Sequence, residues 1–234
     1  RSIVGRERAD YVFVTRPKLE CTYGVAKMLQ RGQTISGDSF GTRRLEQGVF
    51  VMALSDGMGS GRQAHEESDT VVSLFLQFAE AGFTIDMALR LMNAAMIFGA
   101  EAERFSTLDA CLVDEYTGIV DCYKVGAHVS FVRHKRRTEV IEADSLPMGA
   151  SASLEALPFR SYLEAGDYLV LVTDGVLEYL QVEDAVEMLR QLIEELADTD
   201  AVTFARKIIE RVLLFTGGTA ADDMTVLVLK ALER

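Results

Sequence analysis

The sequence has little that would divide the chain or carry it across a membrane. It holds three prolines in 234 residues and no Ser/Gly-rich stretch, so we predict a single domain over residues 1–234. Residues 1–20 are charged and weakly patterned, and they are the one candidate for a linker from an upstream region. No apolar run approaches the roughly 18 residues that a membrane-spanning helix needs. We expect a cytoplasmic protein, or the cytosolic domain of a protein tethered to a membrane through regions outside this chain.

Cysteines are few, and basic residues are outnumbered by acidic ones. Cys21, Cys111 and Cys122 follow no metal-binding spacing, and buried, reduced thiols are expected. Lysine and arginine total 24 against 36 aspartates and glutamates, for a net charge of −12. Without a basic stripe, nucleic acid is excluded as a partner, and the cluster at 134–137 is interpreted as a solvated hairpin tip. An acidic protein that binds phosphate needs local positive charge, which divalent metals can supply.

Aspartates near the ends of apolar runs are the most informative feature that is present. Four candidates are spread over the chain: Asp38, Asp56, Asp174 and Asp222. Asp56 and Asp174 follow the apolar runs 49–54 and 168–172, which places them at the ends of buried strands. Carboxylates gathered there repel one another, and hard oxygen ligands suit Mg²⁺ or Mn²⁺. The four acids therefore predict a divalent-metal site, provided that they converge on one edge of a sheet.

Hydrophobic periodicity predicts an α+β fold. The expected strands are 22–29, 48–55, 108–114, 120–126, 129–133, 139–143, 159–163, 168–173 and 224–229, and the expected helices are 62–81, 84–96, 182–197 and 201–215. Residues 32–41 are expected to form a loop that carries Asp38. Short connections require antiparallel neighbours, and 159–163 is expected to pair with 168–173. The order of strands and paired helices indicates layered sheets covered by helices, not alternating βαβ units.

Two short motifs suggest different functions, and both are set aside. Residues 57–61 (GMGSG) follow a strand and precede a helix, but their spacing departs from a dinucleotide-binding turn, and Asp56 would oppose the pyrophosphate. Residues 37–41 (GDSFG) match the G-x-S-x-G pattern of serine hydrolases, without the acid and histidine that must follow. The histidines are assigned to a solvated helix face, to packing and to an exposed hairpin tip, in the order His65, His128 and His134.

The acidic residues also have a simpler interpretation as turn residues. Taken alone, Asp174-Gly175 and Asp222-Asp223 are common turn sequences. Their joint occurrence with Asp56-Gly57 favours metal binding, because a glycine lets its carbonyl approach a cation closely.

Seven motifs, taken together and in order, resemble the PPM/PP2C-type metal-dependent protein phosphatases. They are residues 36–39 (SGDS), 54–61 (LSDGMGSG), 106–109 (STLD), 124–126 (KVG), 146–149 (LPMG), 172–175 (VTDG) and 222–226 (DDMTV). More closely, residues 22–230 are similar to the phosphatase domain of stage II sporulation protein E. The resemblance implies an α-β-β-α sandwich of two antiparallel sheets flanked by helix pairs, with two Mn²⁺ or Mg²⁺ ions at one edge.

The resemblance also implies a role for each acid, as catalytic and metal-ligating residues. Asp56 would bridge the two ions. Asp38 and the Gly57 carbonyl would complete one site, and Asp174 and Asp222 the other. Asp223 stands where many relatives have asparagine. The phosphate-clamping arginine of the eukaryotic branch has no match here, and the candidates for it are Arg16, Arg31, Arg43 and Arg62.

The function implied by the resemblance is serine protein phosphatase activity. The substrate would be a phosphorylated anti-anti-sigma factor, whose dephosphorylation releases a sporulation sigma factor. Our hypothesis is direct hydrolysis by water that the metals activate, without a covalent phosphoenzyme. The helices within residues 62–104 would be a movable regulatory element, and a homodimer through them is a further hypothesis. Two different functions stay open: a catalytically inactive or differently targeted regulatory module, and a metal phosphohydrolase acting on small molecules.

Overall fold

Ten strands form two five-stranded antiparallel sheets in the part of the chain that the structure describes. That structure is a computed structural model, and it describes residues 15–59, 61–99, 105–127, 129–135, 137–152, 154, 158–216 and 222–234. The strands are β1 Leu19–Met28, β2 Asp38–Arg44, β3 Val49–Asp56, β4 Leu108–Asp114, β5 Ile119–Val125, β6 Val129–Arg133, β7 Thr138–Glu142, β8 Phe159–Tyr162, β9 Tyr168–Val172 and β10 Met224–Glu233. The helices are α1 Gly61–Glu80, α2 Ile85–Gly99, α3 Asp174–Leu180, α4 Ala185–Glu195 and α5 Ala201–Thr216.

The two sheets pack face to face, and helices cover both outer faces. The first sheet has the order β2-β3-β4-β5-β8 and the second has the order β1-β10-β9-β6-β7. One apolar core lies between the sheets, a second lies between α1, α2 and the first sheet, and a third lies between α3, α4, α5 and the second sheet. The predicted α+β sandwich of two antiparallel sheets is confirmed, and the short helix α3 joins the expected helix pair on the second sheet.

Strand β3 shows why its sequence is a continuous apolar run. Alternate residues of a strand point to opposite faces of the sheet. Val51 and Ala53 pack in the core under α1 and α2, whereas Met52 and Leu54 pack in the core between the sheets. Because both faces are buried, no polar residue interrupts the strand until it approaches the sheet edge at Asp56.

The helix boundaries follow the sequence signals. In α1, Val71, Val72 and Phe75 recur at helical spacing and are buried on one face. Gly82, with a φ of 79°, ends this segment in the left-handed region that glycine tolerates. The Thr84 carbonyl accepts a hydrogen bond from the amide of Ala88 at 2.9 Å where α2 starts, as the predicted boundary requires. Among the described residues, no helix is both long and apolar enough to cross a lipid bilayer.

Four local predictions were wrong or incomplete. The expected loop at 32–41 overlaps β2, so Asp38 begins a strand. The expected pair of 159–163 with 168–173 does not form, because β8 pairs with β5 in the first sheet and β9 pairs with β6 and β10 in the second. Asp174 begins a short helix that was not predicted, and β1 starts at Leu19, three residues before the predicted strand. Which strands become neighbours depends on contacts between segments that are far apart in the sequence, and local sequence patterns do not encode those contacts.

The three cysteines are buried and form no disulfide, as expected. Cys111 and Cys122 face each other across β4 and β5, within the core between the sheets.

Glycine substitutions in two strands test how closely the layers pack. A Cβ on Gly24 in β1 would lie 2.3 Å from the backbone nitrogen of Val202 in α5, whereas a Cβ on Gly41 in β2 would lie 2.6 Å from the end of the Leu76 side chain. Backbone cannot move aside as a side-chain end can. Gly24→Ala should lower the free energy of unfolding by about 1–3 kcal/mol, and Gly41→Ala by clearly less. Urea unfolding measures both, and equal losses would contradict this packing.

Candidate active site

Two of the predicted acids face each other directly within the first sheet. Asp38, at the start of β2, is the register partner of Asp56, at the end of β3. Directly opposed residues in an antiparallel pair have Cβ atoms roughly 5 Å apart, and like charges there destabilise the pair. The register alone therefore brings two carboxyl groups together at one sheet edge.

The other two predicted acids come from the second sheet. Asp174 begins α3 just after β9, and Asp222 lies just before β10, the neighbour of β9. A Cβ on Gly175 would lie 2.2 Å from the Asp223 carbonyl oxygen, so only a glycine allows α3 to start this close to the loop that carries Asp222. The glycine next to Asp174 is thus explained by a close backbone approach.

The acids from the two sheets meet at one cleft of about 290 Å³. Its described lining residues are Asp56, Gly57, Met58, Gly59, Phe105, Ser106, Thr107, Pro147, Asp174 and Asp222. Asp38 is not among them, since its side chain is buried behind the cleft. None of the described residues that line the cleft is basic, so the protein itself offers no positive charge there to attract a phosphate.

The electrostatics of the cleft favour protonation. Burial raises the pKa of Asp56 to about 9, and the charges of Asp38, Asp174 and Asp222 and a side-chain hydrogen bond with Asp174 act in the same direction. Burial also raises the pKa of Asp38 to about 6 and the pKa of Asp222 above its usual range. In the absence of cations, these acids therefore hold protons more tightly than exposed carboxyl groups do.

Two threonines hold the side chain of Asp38. The hydroxyl groups of Thr173 and Thr225 donate to Asp38 Oδ2 at 3.1 and 2.6 Å, and both hydrogen bonds lower the pKa of Asp38 against the effect of burial. Thr173 and Thr225 belong to the second sheet and its edge, and Thr225 also donates its amide to Thr173 Oγ1 at 2.9 Å. Asp38 therefore connects the two sheets beside the cleft.

The backbone of Asp56 is fixed by Ser106 and Thr107. The Asp56 amide donates to Thr107 Oγ1 at 2.9 Å, and its carbonyl accepts from the Thr107 amide at 2.9 Å and from Ser106 Oγ at 2.8 Å. Sequence reasoning identified these residues only as part of a motif. Two hydroxyl residues just before a buried strand are the signal that the sequence offers for this role. Their partner, Asp56, follows only from the register of β3 and β4, which the sequence does not show.

Asp223 has a different role from its neighbour Asp222. Its Oδ1 accepts from the Gln30 amide and its Oδ2 from the Gly37 amide, both at 2.7 Å, and the residue is buried. Both oxygens thus hold the segment between β1 and β2. This segment leads directly into Asp38. Asp223 is a structural residue of the site.

The donor set fits divalent cations in its chemistry. Carboxylate oxygens from both sheets, with raised pKa values, are groups that Mg²⁺ or Mn²⁺ would stabilise in their ionised form. In the described residues, no three histidine, cysteine, aspartate or glutamate side chains are yet gathered closely enough to hold one ion. Side-chain rotation at Asp56 and Asp174, which hydrogen-bond each other, would accompany binding. The assignment of Asp38, Asp56, Gly57, Asp174 and Asp222 as ligands stays a prediction.

The set-aside motif at 37–41 does not form a serine nucleophile in the cleft. Ser39 follows Asp38 in β2, so its side chain points to the opposite face, where it meets His65 Nδ1 at 3.3 Å and accepts from Ser68 at 2.8 Å. His134 was expected to be exposed, but it is half-buried and contacts Asp167 at 2.8 Å. His128 lies outside the described residues.

The candidate arginines for a phosphate clamp do not line the cleft. Arg43 pairs with Glu80 on the surface at 3.6 Å, and Arg16, Arg31 and Arg62 are exposed.

Comparisons with known proteins agree with this geometry. The family model of stage II sporulation protein E (SpoIIE) matches residues 46–232, most of the chain. Stage II sporulation protein E of Priestia megaterium is 34% identical over 208 residues, which cover 88% of this chain and 36% of that protein. The phosphoserine phosphatase RsbU of Bacillus subtilis (strain 168) is 33% identical over 200 residues, or 84% of this chain and 59% of RsbU.

A solved structure has the same fold. It contains the PP2C phosphatase domain and a fragment of the regulatory domain of the cell fate determinant SpoIIE from Bacillus subtilis. The TM-score is 0.87 at 28% identity, and the match covers 94% of this chain and 65% of that one.

The stability of the metal-free protein should depend on pH through Asp56. Its pKa is about 9 in the folded state against an ordinary value of 3.8, so between these values the folded state binds one more proton than the unfolded state. Stability then falls as pH rises towards 9. Asp56→Asn should flatten this dependence when urea unfolding is measured with chelator from about pH 6.5 to 9. Asp121→Asn, in an exposed pair with Arg160, should keep the wild-type slope. Equal slopes for Asp56→Asn and wild type would contradict the raised pKa.

Neighbouring acids at 222 and 223 should respond oppositely to neutralisation. Asp223→Asn leaves one amide opposite an NH₂ group and should lower the free energy of unfolding by about 1–3 kcal/mol. Asp222→Asn removes a repelling charge and should leave the metal-free protein as stable or more stable. Thermal and urea unfolding with chelator compare the two. A stable Asp223→Asn variant beside a destabilised Asp222→Asn variant would reverse our assignment.

Proposed function

Since this chain belongs to the SpoIIE family of PP2C-type serine/threonine phosphatases, we propose that it is a metal-dependent enzyme that hydrolyses phosphoserine on a protein. We further propose that the protein substrate is a phosphorylated anti-anti-sigma factor and that its dephosphorylation activates a sporulation sigma factor. Two divalent ions, Mn²⁺ or Mg²⁺, would be the cofactors.

The observation that supports this function most strongly is the meeting of Asp56, Asp174 and Asp222 at one cleft. They come from two different sheets, and burial and mutual repulsion raise the pKa values of Asp56 and Asp222. Such a cluster is costly in a protein that has no use for it, because each ionised member destabilises the others. A role in binding cations accounts for this cost.

The carboxylates of the chain would hold the metal ions, and neighbouring residues would hold the carboxylates in position. Bound Mn²⁺ or Mg²⁺ would supply positive charge for the phosphoryl oxygens and lower the pKa of water so that it attacks phosphorus at neutral pH. Asp56 would be shared between two ions, with Asp38 and the Gly57 carbonyl on one side and Asp174 and Asp222 on the other. Ser106 and Thr107 keep Asp56 in place through its backbone. Cation binding would displace the protons held by the acids, so affinity should rise with pH.

A protein substrate fits the rim of the cleft better than a small molecule does. Met58 in the lining is 58% exposed, and Leu146, next to the lining residue Pro147, is 62% exposed. A protein that docks over the cleft would cover these two apolar side chains, whereas a small molecule inside the cleft would leave them in water. The described lining also lacks basic residues that would recognise the several phosphates of a nucleotide.

The sporulation role depends on relatives longer than this chain. The Priestia megaterium relative carries the name of a sporulation protein, and this chain spans 36% of its length. Any membrane attachment would come from regions outside this chain.

Phosphate release from a serine-phosphorylated anti-anti-sigma factor tests the function directly. The wild type should release phosphate with Mn²⁺ and not with chelator, and nucleoside triphosphates should be poor substrates. Asp56→Asn should lose more than about 100-fold in turnover, since outer-sphere changes alone cost about 10- to 100-fold. Asp121→Asn, far from the cleft, should keep its rate.

Three outcomes would contradict the proposal, each in a different part. Turnover by Asp56→Asn would contradict the role of the shared acid, and phosphate release in chelator would contradict metal dependence. Phosphate release that is faster from nucleotides than from the phosphoprotein would contradict the protein substrate. Metal binding without any hydrolysis would instead support an inactive regulatory module.

A further inference from the structure

A buried ionic cluster of Lys124, Asp109 and Ser130 lies between the two sheets, further from the surface than the cleft. Lys124 Nζ donates to Asp109 Oδ2 at 2.7 Å and to Ser130 Oγ at 2.8 Å, and the Ser130 hydroxyl also donates to Asp109 Oδ2. All three residues are buried, with side-chain exposures of 0% for Lys124 and 3% for Asp109. None of the three has a role in the proposed hydrolysis of phosphoserine.

The cluster connects the two sheets that supply the acids. Asp109 and Lys124 are register partners in β4 and β5 of the first sheet, and Ser130 is in β6 of the second sheet. A buried ion pair is weak support for stability, because desolvation of both charges offsets their attraction. Stability alone therefore does not explain its presence between the sheets.

The position of Asp109 relative to the cleft suggests a role for the ion pair. Asp109 lies two residues after Thr107 in the sequence, so both side chains point to the same face of the sheet, and Thr107 holds the backbone of Asp56. A small cavity lies between them, with Asp56, Thr107, Asp109 and Asp174 among its lining residues. Asp109 of the cluster and the cleft acids Asp56 and Asp174 thus line the same cavity.

One oxygen of Asp109 is left over. Lys124 and Ser130 both bind Oδ2, whereas Oδ1 is buried and has no hydrogen-bond donor among the described residues. A buried carboxylate oxygen without a donor is costly and calls for a partner. The cavity offers about 10 Å³ to a water molecule, which is close to the space that one buried water needs.

We propose that Asp109 is a positioning residue of the candidate active site, held by Lys124 and Ser130 and linked through one buried water to the carboxyl group of Asp56 or Asp174. The water donates one hydrogen to Asp109 Oδ1 and the other to a cleft acid. Since the cluster also ties β6 to β4 and β5, it sets the separation between the acid of the first sheet and the acid of the second. This inference rests on the proposed metal-dependent function, because the cleft acids matter to catalysis only there.

Manganese affinity, measured apart from activity, tests the positioning role. Asp109→Asn keeps the shape of the side chain but leaves Lys124 without its partner, so the double variant Asp109→Asn with Lys124→Met removes both charges. Free Mn²⁺, followed by electron paramagnetic resonance in a titration, should show a dissociation constant raised about 10- to 100-fold in both variants. Ser130→Ala, which removes the link to the second sheet, should raise it in the same direction.

A matched control lies at the far end of the same strands. Glu115 is a buried carboxylate that pairs with Arg44 and accepts from the Cys21 amide at 2.8 Å. It is eight residues from Thr107, or roughly 25 Å along a strand. Glu115→Gln changes a carboxylate that is as buried as Asp109 and breaks its ion pair. It should therefore alter stability but leave the manganese dissociation constant close to that of the wild type. Asp109 variants that are folded and bind Mn²⁺ like the wild type would overturn the proposal.

A crystal structure of the wild type tests the water without any substitution. We expect an ordered water within hydrogen-bond distance of Asp109 Oδ1 and of Asp56 or Asp174. A dry cavity, or a protein donor on Oδ1, would overturn the link even if none of the variants folds. A wild type that binds no Mn²⁺ would instead count against the proposed function, whereas normal Mn²⁺ binding by the Asp109 variants counts against this inference alone.

Discussion

Carboxyl groups that repel one another are forced together where two apolar sheets meet, and the rest of the site depends on this constraint. The register of β2 and β3 places Asp38 opposite Asp56, and the neighbouring strands β9 and β10 bring Asp174 and Asp222 to the same edge. The three apolar cores hold this arrangement in place against the repulsion. Protons relieve the repulsion in the metal-free protein, and divalent cations would relieve it in an active one.

Around the acids, hydroxyl groups and the buried carboxylate of Asp223 keep the geometry. Hydroxyl groups of threonines from the second sheet hold Asp38, while a serine and a threonine just before β4 hold the backbone of Asp56. Asp223 uses both oxygens on backbone amides, so its charge serves the loop and not the cleft. The acids that would bind cations are therefore different from Asp223, which holds the backbone of the site, although Asp222 and Asp223 are adjacent in sequence.

Local signals in the sequence predict the layered sheets covered by helices and the four acids, whereas the family resemblance implied the two-sheet sandwich. Periodicity of two or 3.6 residues marks the strands and helices, and the ends of the apolar runs at 49–54 and 168–172 mark two of the strand edges. The pairing partners of β8 and β9, and the role of Asp223, depend on contacts between segments that are far apart in the sequence. The hydroxyl partners of Asp38 and the Lys124–Asp109–Ser130 cluster were also beyond local patterns, since they join strands of different sheets.

Anomalous scattering from crystals soaked in Mn²⁺ tests the central claim most directly, because it locates the ions without reference to activity. The account predicts two peaks at the edge where the sheets meet, about 3.5–4 Å apart, with Asp56 between them and Asp174 and Asp222 beside one of them. Saturating Mn²⁺ that leaves this cleft without peaks, or that binds only elsewhere on the molecule, would contradict it.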